Sequence, residues 1–418
     1  MGEYVSLRIG NADFLSQKNT FGELLLFYNP SDLHIEKAEY EDGEKYDRRY
    51  FKTTVCKAKR GLDILNHTYR DAKVLFEANK QEYIEYRKEY DNSFDLEYIQ
   101  KNYTFEGWVE AVKKYAREMA FFKTNEYGIW YKHFEEKMRK KHSLIEQEVI
   151  DSLPCFNSAA YFGMYLEFGS VWDVFRIVLE AFDEEQEIIL DYTNLYEGGW
   201  CEEIPSSDIY DVGKTIILTE GKFDTYVVSE AMKILYPDMV KYFSFIDFSE
   251  YAIQGSTSFL CHYLRAFIAA KIKNKIIALF DNDSAGMVAI KSLDSITIPS
   301  NVKVMHLPDI QICNDYPTIG PIRNENTNIN GKACSIEMFL GKDILKVEEN
   351  YEPIQWTGYT DKIKAYQGEI INKKIVENKF REKVNKIKRG DQIIYEDWEE
   401  CRILLEQIFT AFVEEVSE

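Results

Sequence analysis

The stretch Thr215-Ile216-Ile217-Leu218-Thr219-Glu220-Gly221-Lys222-Phe223-Asp224 has a counterpart downstream in Ile276-Ile277-Ala278-Leu279-Phe280-Asp281-Asn282-Asp283-Ser284-Ala285-Gly286. Each is a short apolar run that ends abruptly in carboxylates, as a buried parallel strand does when it delivers its last residue to the sheet edge. Ligands of open α/β sheets collect at the carboxyl ends of the strands. The pattern therefore predicts that Glu220, Asp281 and Asp283 converge on one crevice. Hard oxygen ligands with no His or Cys nearby suit Mg²⁺ or Mn²⁺ better than zinc.

The surrounding residues extend the pattern. Strands are expected at 215–218, 242–246, 275–280 and 302–307, with helices at 224–235, 259–272 and 286–293 between them. Strand and helix alternating at this spacing imply right-handed crossovers and a parallel sheet. The Asn-, Pro- and Gly-rich segment 310–331 reads as a mobile loop. Beyond it, 361–390 carries ten Lys/Arg against four Asp/Glu, a basic region in an acidic chain.

The two acidic motifs together resemble the Toprim domain of primases, topoisomerases and OLD-type nucleases. Glu220, Gly221 and Asp224 match its Glu-Gly-x-x-Asp, and Asp281, Asp283 and Gly286 match its Asp-x-Asp-x-x-Gly. Gln254-Gly255-Ser256-Thr257 fits the small turn that often lies between them. The resemblance implies phosphodiester chemistry with Mg²⁺ or Mn²⁺ held by Glu220, Asp281 and Asp283, with Glu220 alternatively a general acid or base. Asp224 would complete a second metal site or cap the helix. Glu337 resembles in position a downstream acidic motif of OLD-type nucleases, and is either a further metal ligand or a surface helix residue. Lys373 or Lys374 would neutralise the transition-state phosphate, or belong to a solvated basic face. Lys222 would touch phosphate or point to water. A primase would bring a zinc module that the cysteine spacing does not provide, and no tyrosine has the context of a topoisomerase nucleophile.

At 418 residues the chain is long enough for two or three domains with their own cores. No apolar run approaches the roughly 20 residues of a membrane helix, so a cytoplasmic protein without membrane contact is expected. Seven scattered cysteines suggest neither a disulfide framework nor structural zinc. A net charge of −20 argues against nucleic-acid binding over the whole surface, but leaves room for a local basic patch.

The first half divides by periodicity. Residues 1–55 read as a β-rich lead-in, with the charged stretch 36–49 as a solvated loop. Residues 56–200 read as mainly helical, with helices near 72–90, 105–122, 130–150 and 164–182. Residues 211–310 form the Toprim-like module and 311–418 a basic, α-rich extension. The opening 1–10 and the segments 331–340, 356–359 and 366–380 resemble bacterial HEPN/Toprim-associated proteins, a family tied to conflict systems such as phage defence. That resemblance covers most of the chain. HEPN ribonucleases pair an Arg with a nearby His, and Arg60 and His67 have suitable spacing. Gly61 departs from the usual polar residue, and the pair is read as non-catalytic. The expected whole is a Toprim-like parallel sheet with a helical, HEPN-like N-terminal region. It would act on DNA or RNA as a divalent-metal-dependent nuclease, with the helical half binding a second protomer, a protein partner or a trigger. The alternatives are a non-catalytic metal- or nucleotide-binding sensor and a metal-independent ribonuclease.

Overall fold

The computed structural model describes residues 2–40, 43–90, 96–121, 146, 161–162, 166–167, 171–201, 213–246, 248, 250–320, 323–347 and 350–413. The chain forms two compact units, Met1–Val212 and Gly213–Glu418.

The first unit is built on an antiparallel sheet. Strands β1 (Tyr4–Ile9), β2 (Ala12–Lys18), β3 (Leu33–Glu39), β4 (Lys45–Thr54) and β5 (Glu187–Asp191) lie in the order β2-β1-β5-β4-β3. Helices α1 (Val55–Ile64), α2 (Tyr69–Tyr90), α3 (Leu96–Asn102), α4 (Phe105–Phe121) and α5 (Val171–Val178) fall between β4 and β5. One apolar stripe of α4, Trp108, Val112, Tyr115 and Met119, is buried in the same core as Leu7, Ile9, Phe51, Ile188 and Leu190 of the sheet.

The expectation of a mainly helical N-terminal region is therefore corrected. Its central strand β5 comes from the far end of the unit and pairs with β1 (Leu7↔Leu190) and β4 (Phe51↔Leu190). Local periodicity carries no record of a pairing so distant in sequence. The charged stretch 36–49, expected as a loop, instead supplies residues of the paired strands β3 and β4, whose charges face each other across the ladder. Glu36 stands opposite Arg48 and Lys37 opposite Asp47, with Lys37 Nζ 2.6 Å from Asp47 Oδ1. The expected helix at 130–150 lies outside the described residues apart from Glu146.

The second unit holds a four-stranded parallel sheet. Its strands are β6 (Thr215–Leu218), β7 (Phe243–Phe245), β8 (Ile276–Phe280) and, after the two-residue β9 (Asn282–Asp283), β10 (Val302–His306). Their order is β10-β8-β6-β7, all parallel. Helix α6 (Lys222–Leu235) connects β6 to β7, α7 (Thr257–Ala269) leads to β8, and α8 (Ser284–Leu293) leads to β10. The chain thus runs from β6 outward to β7, then returns to the other side of β6. That reversal puts the topological switch point between β6 and β8, where such sheets open a crevice at their carboxyl ends.

The described residues of segment 310–331 include two strands, contrary to a loop reading. It contributes β11 (Tyr316–Ile319) and β12 (Glu325–Thr327). The short β13 (Ala333–Cys334) then pairs with β9. Strands β14 (Ile354–Thr360) and β15 (Ala365–Ile370) complete a second sheet in the order β12-β11-β14-β15. Helices α9 (Lys373–Lys388) and α10 (Glu399–Phe409) pack against α6. The C-terminal extension is therefore a mixed sheet-and-helix structure, a feature its basic composition does not announce.

Candidate active site

Glu220 leaves the end of β6 and Asp281 the end of β8, on either side of the switch point. Glu220 Oε1 accepts a hydrogen bond from the Asp281 backbone N–H at 3.0 Å, and its Oε2 accepts from Thr257 Oγ1 at 2.5 Å. The turn before α7 presses on this strand end: a Cβ on Gly255 would lie 2.6 Å from the Glu220 carbonyl oxygen. Likewise a Cβ on Gly286 would collide with the Asp281 carbonyl oxygen. Glycine is required at both positions by close backbone approach.

Asp283 is the N-cap of α8, and its Oδ1 accepts from the Gly286 N–H at 2.7 Å. Its Oδ2 accepts from Gln367 Nε2 of β15, also at 2.7 Å. The other atom of that side-chain amide, Gln367 Oε1, is buried and has no hydrogen-bond partner among the described residues. Asp281 Oδ1 accepts from the Ile336 N–H at 3.2 Å, which draws the 3₁₀ turn Ile336–Phe339 to the strand ends. That turn carries Glu337, 1% exposed. Its Oε2 accepts from Ser335 Oγ at 2.5 Å, and its Oε1 lies 2.9 Å from Lys373 Nζ at the start of α9.

Electrostatics ties these groups together. Burial raises the Asp224 carboxyl to about 7, with Glu337 and Glu220 adding repulsion. Asp281 is pushed well above the usual carboxylate range by burial and then by Asp224, Glu220, Glu337 and Asp283. Glu220 is raised as well, chiefly by burial, against the hydrogen bonds from Thr257 and Asp281. Burial works against the charge on Lys373, but the attraction of Glu337, Asp281 and Asp224 outweighs it and holds the ammonium protonated. Five carboxyl groups thus crowd one ammonium at one sheet edge, and their mutual repulsion opposes ionisation of all of them together.

Not every sequence candidate joins the group. Lys374 and Lys222 are exposed. In the first unit, His67 Nδ1 lies 2.7 Å from Asp173 Oδ1, while Arg60 Nη2 reaches toward Cys56 Sγ at 3.8 Å. Thr257, Ser335 and Gln367 hold the acids in place and carry no signal as isolated residues. The turn containing Thr257 and the Tyr366-Gln367-Gly368-Glu369 segment are nonetheless distinctive in the sequence.

Among the described residues, no three His, Cys, Asp or Glu side chains form a ready-made metal cage. The hydrogen bonds explain this, because both oxygens of Glu220 and of Asp283 are turned to protein donors. The donor set is nevertheless all oxygen, its carboxylates repel one another, and the unpartnered Gln367 Oε1 lies beside Asp283. Those are properties that fit a hard divalent cation.

The second unit is thus a parallel α/β module with an acidic cluster at its switch point. The chain belongs to the family described as HEPN/Toprim N-terminal domain 1, whose model matches residues 1–214. The match ends just before β6, so the acidic cluster lies beyond the matched residues. No curated protein and no solved structure matches the chain. No helix among the described residues is long and apolar enough to cross a membrane.

Proposed function

We propose that the protein is a divalent-metal-dependent nuclease that hydrolyses phosphodiester bonds of DNA or RNA. The observation that carries this reading is the gathering of Glu220, Asp224, Asp281, Asp283 and Glu337 around Lys373 at the switch point of a parallel sheet. Glu220, Asp281 and Asp283 would hold Mg²⁺ or Mn²⁺, with Asp224 and Glu337 completing the ligand set. When bound, the ion supplies an activated water and neutralises charge that builds on the phosphate. Lys373 offers its ammonium to a non-bridging phosphate oxygen, and Glu337 holds that ammonium in position. Thr257 and Gln367 fix the orientation of Glu220 and Asp283.

The family's HEPN/Toprim designation supports a nuclease-related role. We extend it to defence against phage in the cytoplasm, with the first unit serving a second protomer, a protein partner or a trigger. One observation favours a second reading: an imidazole oriented by a buried carboxylate, as in His67–Asp173, is suited to metal-independent RNA cleavage.

The test is cleavage of plasmid, single-stranded DNA and RNA with Mg²⁺, Mn²⁺ or EDTA, comparing wild type with Asp281→Ala and Glu220→Ala. Metal-dependent cleavage lost in both variants is the expected result. RNA cleavage that survives EDTA and both substitutions would transfer the chemistry to His67. Metal binding without cleavage of any substrate would leave a sensor.

A further inference from the structure

The β14–β15 hairpin is part of the candidate site, yet it carries a feature the site itself does not use. Gln367 of β15 is turned toward Asp283, and the preceding carbonyl, Tyr366 O, accepts from the buried Ser284 Oγ at 2.8 Å. Side chains alternate along a strand, so the Tyr366 ring faces away from Gln367. Tyr359 stands opposite Tyr366 in the ladder, and their rings are 5.1 Å apart at 71°. The ring of Trp356 lies 5.9 Å from Tyr366. Trp356 and Tyr359 are three apart, and in a regular strand they would point to opposite faces. A register irregularity between Trp356 and Gly358 brings both against Tyr366. The sheet therefore departs from its regular pairing at the place that assembles three rings.

These rings are not core. Tyr359 is 52% exposed and Tyr366 is 41% exposed, and a Cβ on Gly358 would meet nothing within 4 Å. Strand β15 is the outermost strand of its sheet, with Tyr366 O met by Ser284 of α8, and the rings are exposed on the face of the hairpin rather than at the strand edge. Its charge has the sign that phosphates require. Between Trp356 and Lys374, Lys362, Lys364, Lys373 and Lys374 stand against Asp361 and Glu369, in a chain whose net charge is −20. Aromatic faces flanked by lysines are how proteins hold unpaired nucleic acid, since every base has a π face to stack. In a duplex those faces are covered by neighbouring base pairs.

We propose that Trp356, Tyr359 and Tyr366 form a stacking platform for unpaired bases, which makes single-stranded nucleic acid the substrate class of the acidic site. This rests on the nuclease reading for its use, though not for its binding. Tyr366 of the platform and Gln367, whose amide holds Asp283, are consecutive residues of β15, so a strand stacked on the rings lies one residue along the chain from the group that orients the acidic site.

Binding is measured on the full chain in EDTA, by fluorescence anisotropy of labelled single-stranded DNA, single-stranded RNA and duplex. Wild type is expected to prefer single strands. Tyr359→Ala/Tyr366→Ala is expected to weaken single-strand binding by roughly tenfold to a hundredfold. Tyr359→Phe/Tyr366→Phe, which keeps the π faces, is expected to bind like wild type. Equal affinity for duplex, or no effect of removing both rings, would overturn the proposal. So would ring-dependent self-association without nucleic-acid binding, which would mark the face as a contact between two copies. The two readings fail separately. Ring-dependent single-strand binding without cleavage under any metal would sink the nuclease alone, and metal-dependent cleavage indifferent to the rings would sink the platform alone.

Discussion

Lys373 Nζ lies 2.9 Å from Glu337 Oε1 and joins the start of α9 to the 3₁₀ turn behind β8. Glu337 is 1% exposed, whereas the Lys373 side chain is 49% exposed, so the carboxylate is the member that needs its partner. Lys373→Met should leave a buried charge among other acids. In EDTA at pH 8 it is expected to lower stability by about 1–3 kcal/mol, less than a fully enclosed pair because the lysine is half in water. Glu337→Gln with Lys373→Met should cost less than the two single losses added together. Urea denaturation of all four proteins checks this, and strictly additive losses would show that the pair is not coupled.

Asp224 gives a prediction of opposite sign. Its carboxyl is raised to about 7 by burial, Glu337 and Glu220, so its charged form opposes folding of the metal-free protein. The folded state binds the proton more tightly than the unfolded chain. Stability from this group is therefore full below the unfolded value near 4, declines as pH rises toward 7, and stays low above it. Asp224→Asn should stabilise the metal-free protein at pH 8 by about 1–3 kcal/mol, with the gain disappearing near pH 4. The same substitution should shrink the rise in melting temperature produced by Mg²⁺ or Mn²⁺. Thermal melts across pH, with and without metal, would refute the reading if the variant were less stable than wild type at pH 8 in EDTA.

The glycines at the strand ends can be separated by the space around them. A Cβ at Gly286 meets the Asp281 carbonyl oxygen, and backbone cannot rotate aside as a side chain can. Gly286→Ala is expected to cost about 2–4 kcal/mol and to displace Asp281 and Asp283 together. Gly358→Ala, with nothing within 4 Å of the new Cβ, should change stability by no more than about 0.5 kcal/mol. Chemical denaturation of both variants distinguishes them, and equal effects would contradict the close approach.

How much of this is legible in the sequence depends on the range of the interaction. The four parallel strands and their helices are readable because each apolar run is self-contained and ends in its own carboxylate, as Leu218 leads to Glu220 and Phe280 to Asp281. Strand β5 is not, since Ile188 and Leu190 acquire meaning only through pairing with β1 and β4 far upstream. The pairing of β3 with β4 is hidden by its composition. Glu36, Lys37, Asp47 and Arg48 look like solvated charge until the ladder pairs them. Gln367 has no special chemistry in the chain, and its proximity to Asp283 is created by a second sheet that packs beside the first. Acidic strand ends have a local signature, whereas the groups that orient them arrive from distant segments.

Thr257 isolates the role of such an orienting group. Its hydroxyl donates to Glu220 Oε2 at 2.5 Å, and the same carboxylate receives the Asp281 N–H on its other oxygen. Thr257→Val keeps the shape of the side chain and removes that donor, so Glu220 is free to turn. Metal-dependent cleavage is expected to fall about tenfold to a hundredfold, as it does when a partner of a metal-binding carboxylate is lost. Stability should fall by only about 1–2 kcal/mol. Thr257→Ser retains the hydroxyl and should recover most of the activity, which a purely structural role for the methyl group would not allow. Cleavage rates and metal titrations of the two variants test this. If serine were as impaired as valine, the methyl group rather than the hydrogen bond would be what Glu220 requires.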